Sequence, residues 1–336
     1  MKKKKSKYIL YATLVLIIVI ILLFLFNKCC NKVIVENDGS KPSIAVLDTK
    51  IISQDNEEIR FAIRFVVFRD SKHSEDRLKR KDVRIDSLKR PSVFFEQKQF
   101  NKKSKKTKEP FSAILLLDQS GSMTSNDRDK KRFVATNIFN ENFGQDNYLM
   151  LWSFGLRGNA FQSYSDGFVK DTFLFKKQIK ELEATKASGS SPLFKAQDST
   201  SKYLNKYAPT KIKALVSFTD GVAGGKAAYE NTIATSLENE IPLYNICLLS
   251  KSKLLKQQAF DTHGAYIQVD NLKQLLSVFG NLGGIINGTS TTYYTEWTAK
   301  NLKGKFAKKG RFNHEMIIQL PYRDKTEIKL TFELEW

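Results

Sequence analysis

Hydrophobic and polar positions follow three regimes along the 336 residues. From Tyr8 to Phe26, nineteen consecutive residues carry no charge and nearly all are apolar. Residues 43–52 and 58–68 are rich in Ile, Val and Phe, the second alternating around Arg60 and Arg64, which predicts two strands. Weaker strand candidates lie at 82–88 and 92–97, and the same alternation returns at 291–299, 314–320 and 327–335. Between these flanks, apolar runs at 112–117, 148–154, 212–219, 243–248 and 265–269 predict buried strands. Helical periods fall between them, at 130–142, 172–182, 192–207, 226–239 and 252–260, with a last one at 272–281. Strands alternating with helices predict a doubly wound, mostly parallel α/β sheet covered on both faces.

One apolar run ends abruptly, and the chemistry is expected there. Leu115-Leu116-Leu117 runs into Asp118-Gln119-Ser120-Gly121-Ser122. In open α/β sheets ligands sit outside the carboxyl ends of the strands. Asp118, Ser120 and Ser122 put three hard oxygen donors on one tight loop, a set suited to Mg²⁺, Mn²⁺ or Ca²⁺.

This D-x-S-x-S spacing after a first buried strand resembles the von Willebrand factor A family, where it opens the metal-ion-dependent adhesion site. Two further stretches resemble the family in the expected order. Gly189-Ser190-Ser191-Pro192-Leu193-Phe194 is similar to its G-G-T-P-L-Y loop, with Ser191 where a threonine is usual. Leu215-Val216-Ser217-Phe218-Thr219-Asp220-Gly221 is similar to its fourth strand and T-D-G ending. The resemblance covers about residues 109–286. It implies a metal held by Asp118, Ser120, Ser122 and Ser191, with Asp220 acting mainly through water. It further implies an open metal position that a partner's Asp or Glu completes, and a short antiparallel edge strand at 160–164.

Neither β flank is large enough to stand alone. Four strands before the central domain and three after it predict one seven-stranded antiparallel sandwich, 42–108 with 287–336, into which 109–286 is inserted. Two separate small β units are the alternative.

Charge changes the picture at the amino terminus. The net charge is +20, and seven lysines in residues 1–32 meet no acid. Lys2, Lys3, Lys4, Lys5 and Lys7 form a basic tail (1–7) before the apolar stretch, while only Lys28 and Lys32 follow closely. Residues 8–26 at about 1.5 Å each span roughly 28 Å, enough to cross a bilayer. The predicted arrangement is therefore a transmembrane helix with a cytoplasmic amino terminus, a linker at 27–41, and the bulk of the chain extracytoplasmic. A cleaved signal peptide is the alternative, although no small-x-small cleavage site follows. Lipid attachment at Cys29 or Cys30 is another, although Asn27 and Lys28 precede the cysteines where small residues are the rule. Cys247 is the one remaining cysteine, so the rest of the chain has no internal disulfide.

Residues 69–108 hold fifteen Lys or Arg against six Asp or Glu, with Lys102, Lys103, Lys105, Lys106 and Lys108 in a dense run. This reads either as a solvated connection or as a surface for an anionic partner. No nucleic-acid motif accompanies it.

Enzymatic readings find little support. Aspartate-nucleophile phosphohydrolases need a second acid two residues after the first, and Ser120 stands there. Neither Ser188-Gly189-Ser190 nor Gln119-Ser120-Gly121 makes a G-x-S-x-G elbow. There is no H-x-x-x-H, C-x-x-C or phosphate-binding G-x-x-x-x-G-K-[ST] pattern. The sequence thus predicts a non-enzymatic, membrane-anchored binding module whose metal site grips an acidic protein partner. A metal-assisted hydrolase, or a subunit of one, is the alternative.

Overall fold

A computed structural model describes residues 39–86, 92–104, 109–144, 146–221, 225–321 and 326–336. The predicted span 8–26, both cysteines that follow it, and Lys105, Lys106 and Lys108 lie outside these residues. Among the described residues, no helix is long and apolar enough to cross a membrane.

The middle of the chain is the α/β rhythm predicted above. Strands β5 (Phe111–Asp118), β6 (Tyr148–Leu156), β8 (Ile212–Thr219), β9 (Leu243–Leu248) and β10 (Ala265–Val269) run parallel in the order β10-β9-β8-β5-β6. The short strand β7 (Asn159–Ser163) closes one end antiparallel to β6. Every residue of β5 is buried, because both faces of the sheet are covered. Ala113, Leu115 and Leu117 face one core with Phe133, Phe139, Phe175 and Leu275. Ile114 and Leu116 face the other with Leu193, Phe194, Leu204 and Leu255. The covering helices are α1 (Met123–Asn126), α2 (Lys131–Asn142), α3 (Thr172–Ala184), α4 (Leu193–Tyr207), α5 (Lys226–Glu238), α6 (Lys253–Asp261) and α7 (Leu272–Ile286).

Several ends follow from local chemistry. The Asp171 side chain accepts the Phe173 and Leu174 N–H groups at the start of α3, and Ser252 accepts the Leu255 N–H at the start of α6. Helix α7 begins in a capping box between Asn271 and Gln274. It runs five residues beyond the predicted 281, through Gly283 and Gly284. The two glycines weaken the helical signal, but α7 packs on α2, and that contact overrides propensity.

The β flanks differ from the expected arrangement in one respect. Strands β1 (Ser43–Gln54), β2 (Glu58–Phe68), β4 (Val93–Lys103) and β11 (Thr292–Asn301) form an antiparallel layer. Strands β3 (Val83–Ile85), β12 (Arg311–Gln319) and β13 (Glu327–Glu335) form a second sheet. A shared apolar core, including Phe61, Phe65, Trp297, Met316 and Phe332, joins the two layers. The first layer is not a separate unit beside the parallel sheet. β1 pairs antiparallel with β10 at Val46 and Tyr266, so the whole forms one ten-stranded sheet, β4-β11-β2-β1-β10-β9-β8-β5-β6-β7. Strand β10 would otherwise expose an open edge of backbone donors and acceptors, and β1 covers it.

Strand β4 is also longer than the predicted 92–97. A bulge sets Gln97 opposite Trp297 and Gln99 opposite Glu296, leaving Lys98 extra. The extra residue brings Phe95 and Phe100 onto one face, where both pack on the shared core. Their five-residue spacing conceals this alternation in the sequence.

Candidate functional site

Parallel pairing puts the ends of β5 and β8 side by side. Leu117 lies opposite Phe218, so Asp118 and Thr219 emerge together at the carboxyl rim of the sheet. Asp118 is fully buried. Its Oδ1 accepts the Ser120 N–H at 2.7 Å, and its Oδ2 accepts the Thr219 hydroxyl at 2.7 Å. Ser120 Oγ lies 3.1 Å from Ser122 Oγ, and Ser122 Oγ donates to Asp220 Oδ1 at 2.8 Å. Asn126, on the single turn of α1, donates to the other Asp220 oxygen at 2.8 Å. Two carboxylates are thereby tied together through hydroxyls.

The second loop arrives by backbone contact. The Gly121 N–H donates to Gly189 O at 3.1 Å, and the Ser188 N–H donates to Gln119 O at 2.8 Å. The Gln119 N–H in turn donates to Phe154 O at 2.8 Å, which ties in the end of β6. Ser191 is partly buried two residues beyond Gly189, on the loop leading into α4. Two glycines make this convergence of loops sterically possible. Gly155 has φ +90°, and a Cβ there would lie 2.8 Å from Ser120 N and 2.9 Å from Ser190 O. Gly189 has φ +82°, and a Cβ there would lie 2.7 Å from Gly155 O. Any other residue would strain the backbone and push the loops apart.

Below the rim the support is polar and buried. Arg132 and Asp127 form a buried ion pair at 2.6 Å, with side chains 4% and 0% exposed. Arg132 also donates to the Gln119 side chain, whose Nε2 donates to Leu182 O at 3.0 Å. Gln119, between Asp118 and Ser120 on the loop, is therefore anchored from α2. On the opposite face, Gln197 Nε2 donates to Ser217 Oγ and Asn245 Oδ1, each at 3.0 Å. Gln258 Nε2 donates back to Gln197 Oε1 at 3.0 Å, closing a buried amide network under β8.

The electrostatics of the rim favour a cation. Burial pushes the Asp118 carboxyl above its ordinary range, the hydrogen bonds from Ser120 and Thr219 pull it back, and the charge of Asp220 adds to the rise. Among the described residues neither carboxylate is paired with a Lys or Arg, and the nearby guanidinium of Arg132 is committed to Asp127. A buried carboxylate beside a second one, without a protein cation, fits a hard divalent ion. No cluster of three or more His, Cys, Asp or Glu occurs among the described residues, and this donor set of two acids and several hydroxyls is of a different kind. Asp118, Ser120, Ser122 and Asp220 are thus linked directly, while Ser191 joins through its loop. Thr219, Asn126, Gln119, Gly155 and the Asp127–Arg132 pair escape sequence reasoning as supporting residues. Of these, Thr219 and Gln119 lie in stretches the resemblance singles out.

Cys247, in β9, is buried and free, and burial pushes its thiol up to about 11. It is a core residue, as its apolar run suggests.

No family model and no curated protein matches the sequence. Solved structures do resemble the fold. A von Willebrand factor type A protein from Catenulispora acidiphila matches with 10% identity over 89% of this chain and 74% of its own, TM-score 0.46. The ArnB paralog VWA2 from Sulfolobus acidocaldarius matches with 10% identity over 88% of this chain and 75% of its own, TM-score 0.40. The pilus adhesin SpaC from Lactobacillus rhamnosus GG matches with 10% identity and TM-score 0.42 over 88% of this chain, which spans 48% of the adhesin. The parallel core, its antiparallel edge strand and the convergence of the Asp118, Gly189 and Asp220 loops give the central part of the chain a fold of the von Willebrand factor A type.

Proposed function

We propose that this protein is a non-enzymatic binding module that holds a divalent cation, Mg²⁺ in the first instance, at Asp118, Ser120, Ser122, Ser191 and Asp220. The cation would present an open position to an Asp or Glu of a protein partner. One observation carries the reading: a fully buried carboxylate shares its site with a second one, and among the described residues no Lys or Arg pairs with either. The hydroxyls of Ser120 and Ser122, now spent on each other and on Asp220, are the neutral ligands that would leave such an ion short of electrons. Among the described residues, a hydrolytic reading finds no group in the site to act as general base at neutral pH, since both acids would serve the metal. The test is capture of partners from the native membrane fraction with Mg²⁺ or with a chelator. Partners retained in Mg²⁺ and lost on chelation support the reading, and identical capture in both sinks it.

We also propose that residues 8–26 anchor the chain in a membrane, with the large domain outside. The support is the uncharged length of this segment and the five lysines before it. Protease added to intact cells or spheroplasts is expected to remove the large domain and leave a short anchored stub. Protection until lysis would place that domain in the cytoplasm.

A further inference from the structure

We propose that strand β4 is an acceptor edge onto which an extended acidic peptide segment adds as an eleventh strand. β4 is eleven residues long and is the last strand of the ten-stranded sheet. It pairs with β11 along its full length, from Val93 opposite Asn301 to Lys103 opposite Thr292, and among the described residues no strand pairs with its outer side. The far edge of the same sheet, β7, offers five residues. Open edges invite pairing with any strand, and proteins blunt them with lysine.

The charges here do more than blunt the edge. Lys98, Lys102 and Lys103 lie on β4 itself, and Arg77, Lys79 and Arg80 line the facing segment across a groove of about 600 Å³ that includes Leu78 and Phe100. Two of these cations are spent on neutral acceptors. Arg80 donates to Gln97 O, and Lys102 donates to Asp76 O at 3.2 Å. Their charges are left for a ligand. Among the described residues three acids oppose these cations: Asp76 lies 3.8 Å from Arg77, Asp82 accepts the Lys79 N–H at 2.8 Å, and Glu96 pairs with Lys98 at 2.7 Å.

This arrangement discriminates by charge. A second copy of β4 would set lysine against lysine, whereas a strand bearing carboxylates would meet the cations while its backbone completes the open side. The half-buried ring of Phe100, 5.8 Å from that of Tyr293, offers footing for an apolar residue between the acids. The site does not involve the carboxyl rim and needs no metal.

The test uses the protein with chelator present and a fluorescent octapeptide of alternating Glu and Val. Binding is expected to weaken at least tenfold in a peptide N-methylated at alternate backbone nitrogens, and in a Lys/Val peptide of the same length. The exposed pair Lys102→Glu with Lys103→Glu should weaken it at least tenfold with no change in thermal midpoint. Equal affinity for the N-methylated peptide would show attraction by charge without strand pairing and overturn the proposal. So would no measurable binding of the Glu/Val peptide, or binding of long-chain polyphosphate in its place.

Discussion

Asp127→Ala is expected to destabilise the protein by about 3–5 kcal/mol, because it leaves the buried Arg132 guanidinium without its counter-charge. Asp127 does a second job. Its carboxylate accepts the Lys131 and Arg132 N–H groups at 2.7 and 3.2 Å, capping α2 from four and five residues upstream. Lys130 between them takes a left-handed conformation, φ +52°, to allow it. The double variant Asp127→Ala with Arg132→Met removes the unpaired charge and should recover a large share of the loss, while the lost cap persists. Equilibrium urea unfolding checks both. A loss below about 1 kcal/mol in the single variant would mean the pair is solvated and carries no such charge penalty.

Asp118→Asn is expected to act in opposite directions on stability and on ligand binding. In metal-free protein the ionised side chain is buried next to Asp220, an arrangement that costs free energy. Asparagine keeps an oxygen for the Ser120 N–H and turns an amide toward the Thr219 hydroxyl, which can then act as acceptor. The metal-free variant should therefore be more stable than the wild type at neutral pH, on the order of 1 kcal/mol or more. Saturating Mg²⁺ at 100 times its dissociation constant should stabilise the wild type by about 2.7 kcal/mol and the variant far less. Thermal melts in chelator and in Mg²⁺ read both effects. A metal-free variant less stable than the wild type would show that Asp118 is a structural group and not an electrostatic liability held for a ligand.

The contrast between these two acids shows what the sequence made legible. Asp118 follows an apolar run at the end of a buried strand, and position alone marks it for chemistry. Asp127 sits in Asn126-Asp127-Arg128-Asp129, among charged residues that look solvent-exposed, and its burial depends on Arg132 folding back over it. The parallel strands were readable because each is a short apolar run covered on both faces, which no surface element imitates. Residues 93–103 were not readable to their full length, because the bulge at Lys98 breaks the period that strand recognition depends on. Joining the flanks to the parallel sheet was equally hidden. It rests on a pairing between Val46 and Tyr266, 220 positions apart, and local pattern says nothing about which edge a strand will cover. Within the site, the donors announce themselves by residue type and spacing. Their supports, such as Asn126 on Asp220 and Gly155 against Ser120, come from distant segments and become visible only in three dimensions.

Asp118 and its neighbours are proposed to hold a divalent cation. Isothermal titration of Mg²⁺ into the metal-free domain, wild type against Asp118→Ala, tests it most directly. Loss of the buried carboxylate removes the charged anchor while the fold remains, since the residue ends a strand and its side chain reaches only the rim. One site per chain is expected in the wild type and no measurable heat of binding in the variant. Equal affinity in the two proteins, or no binding to the wild type, would contradict it.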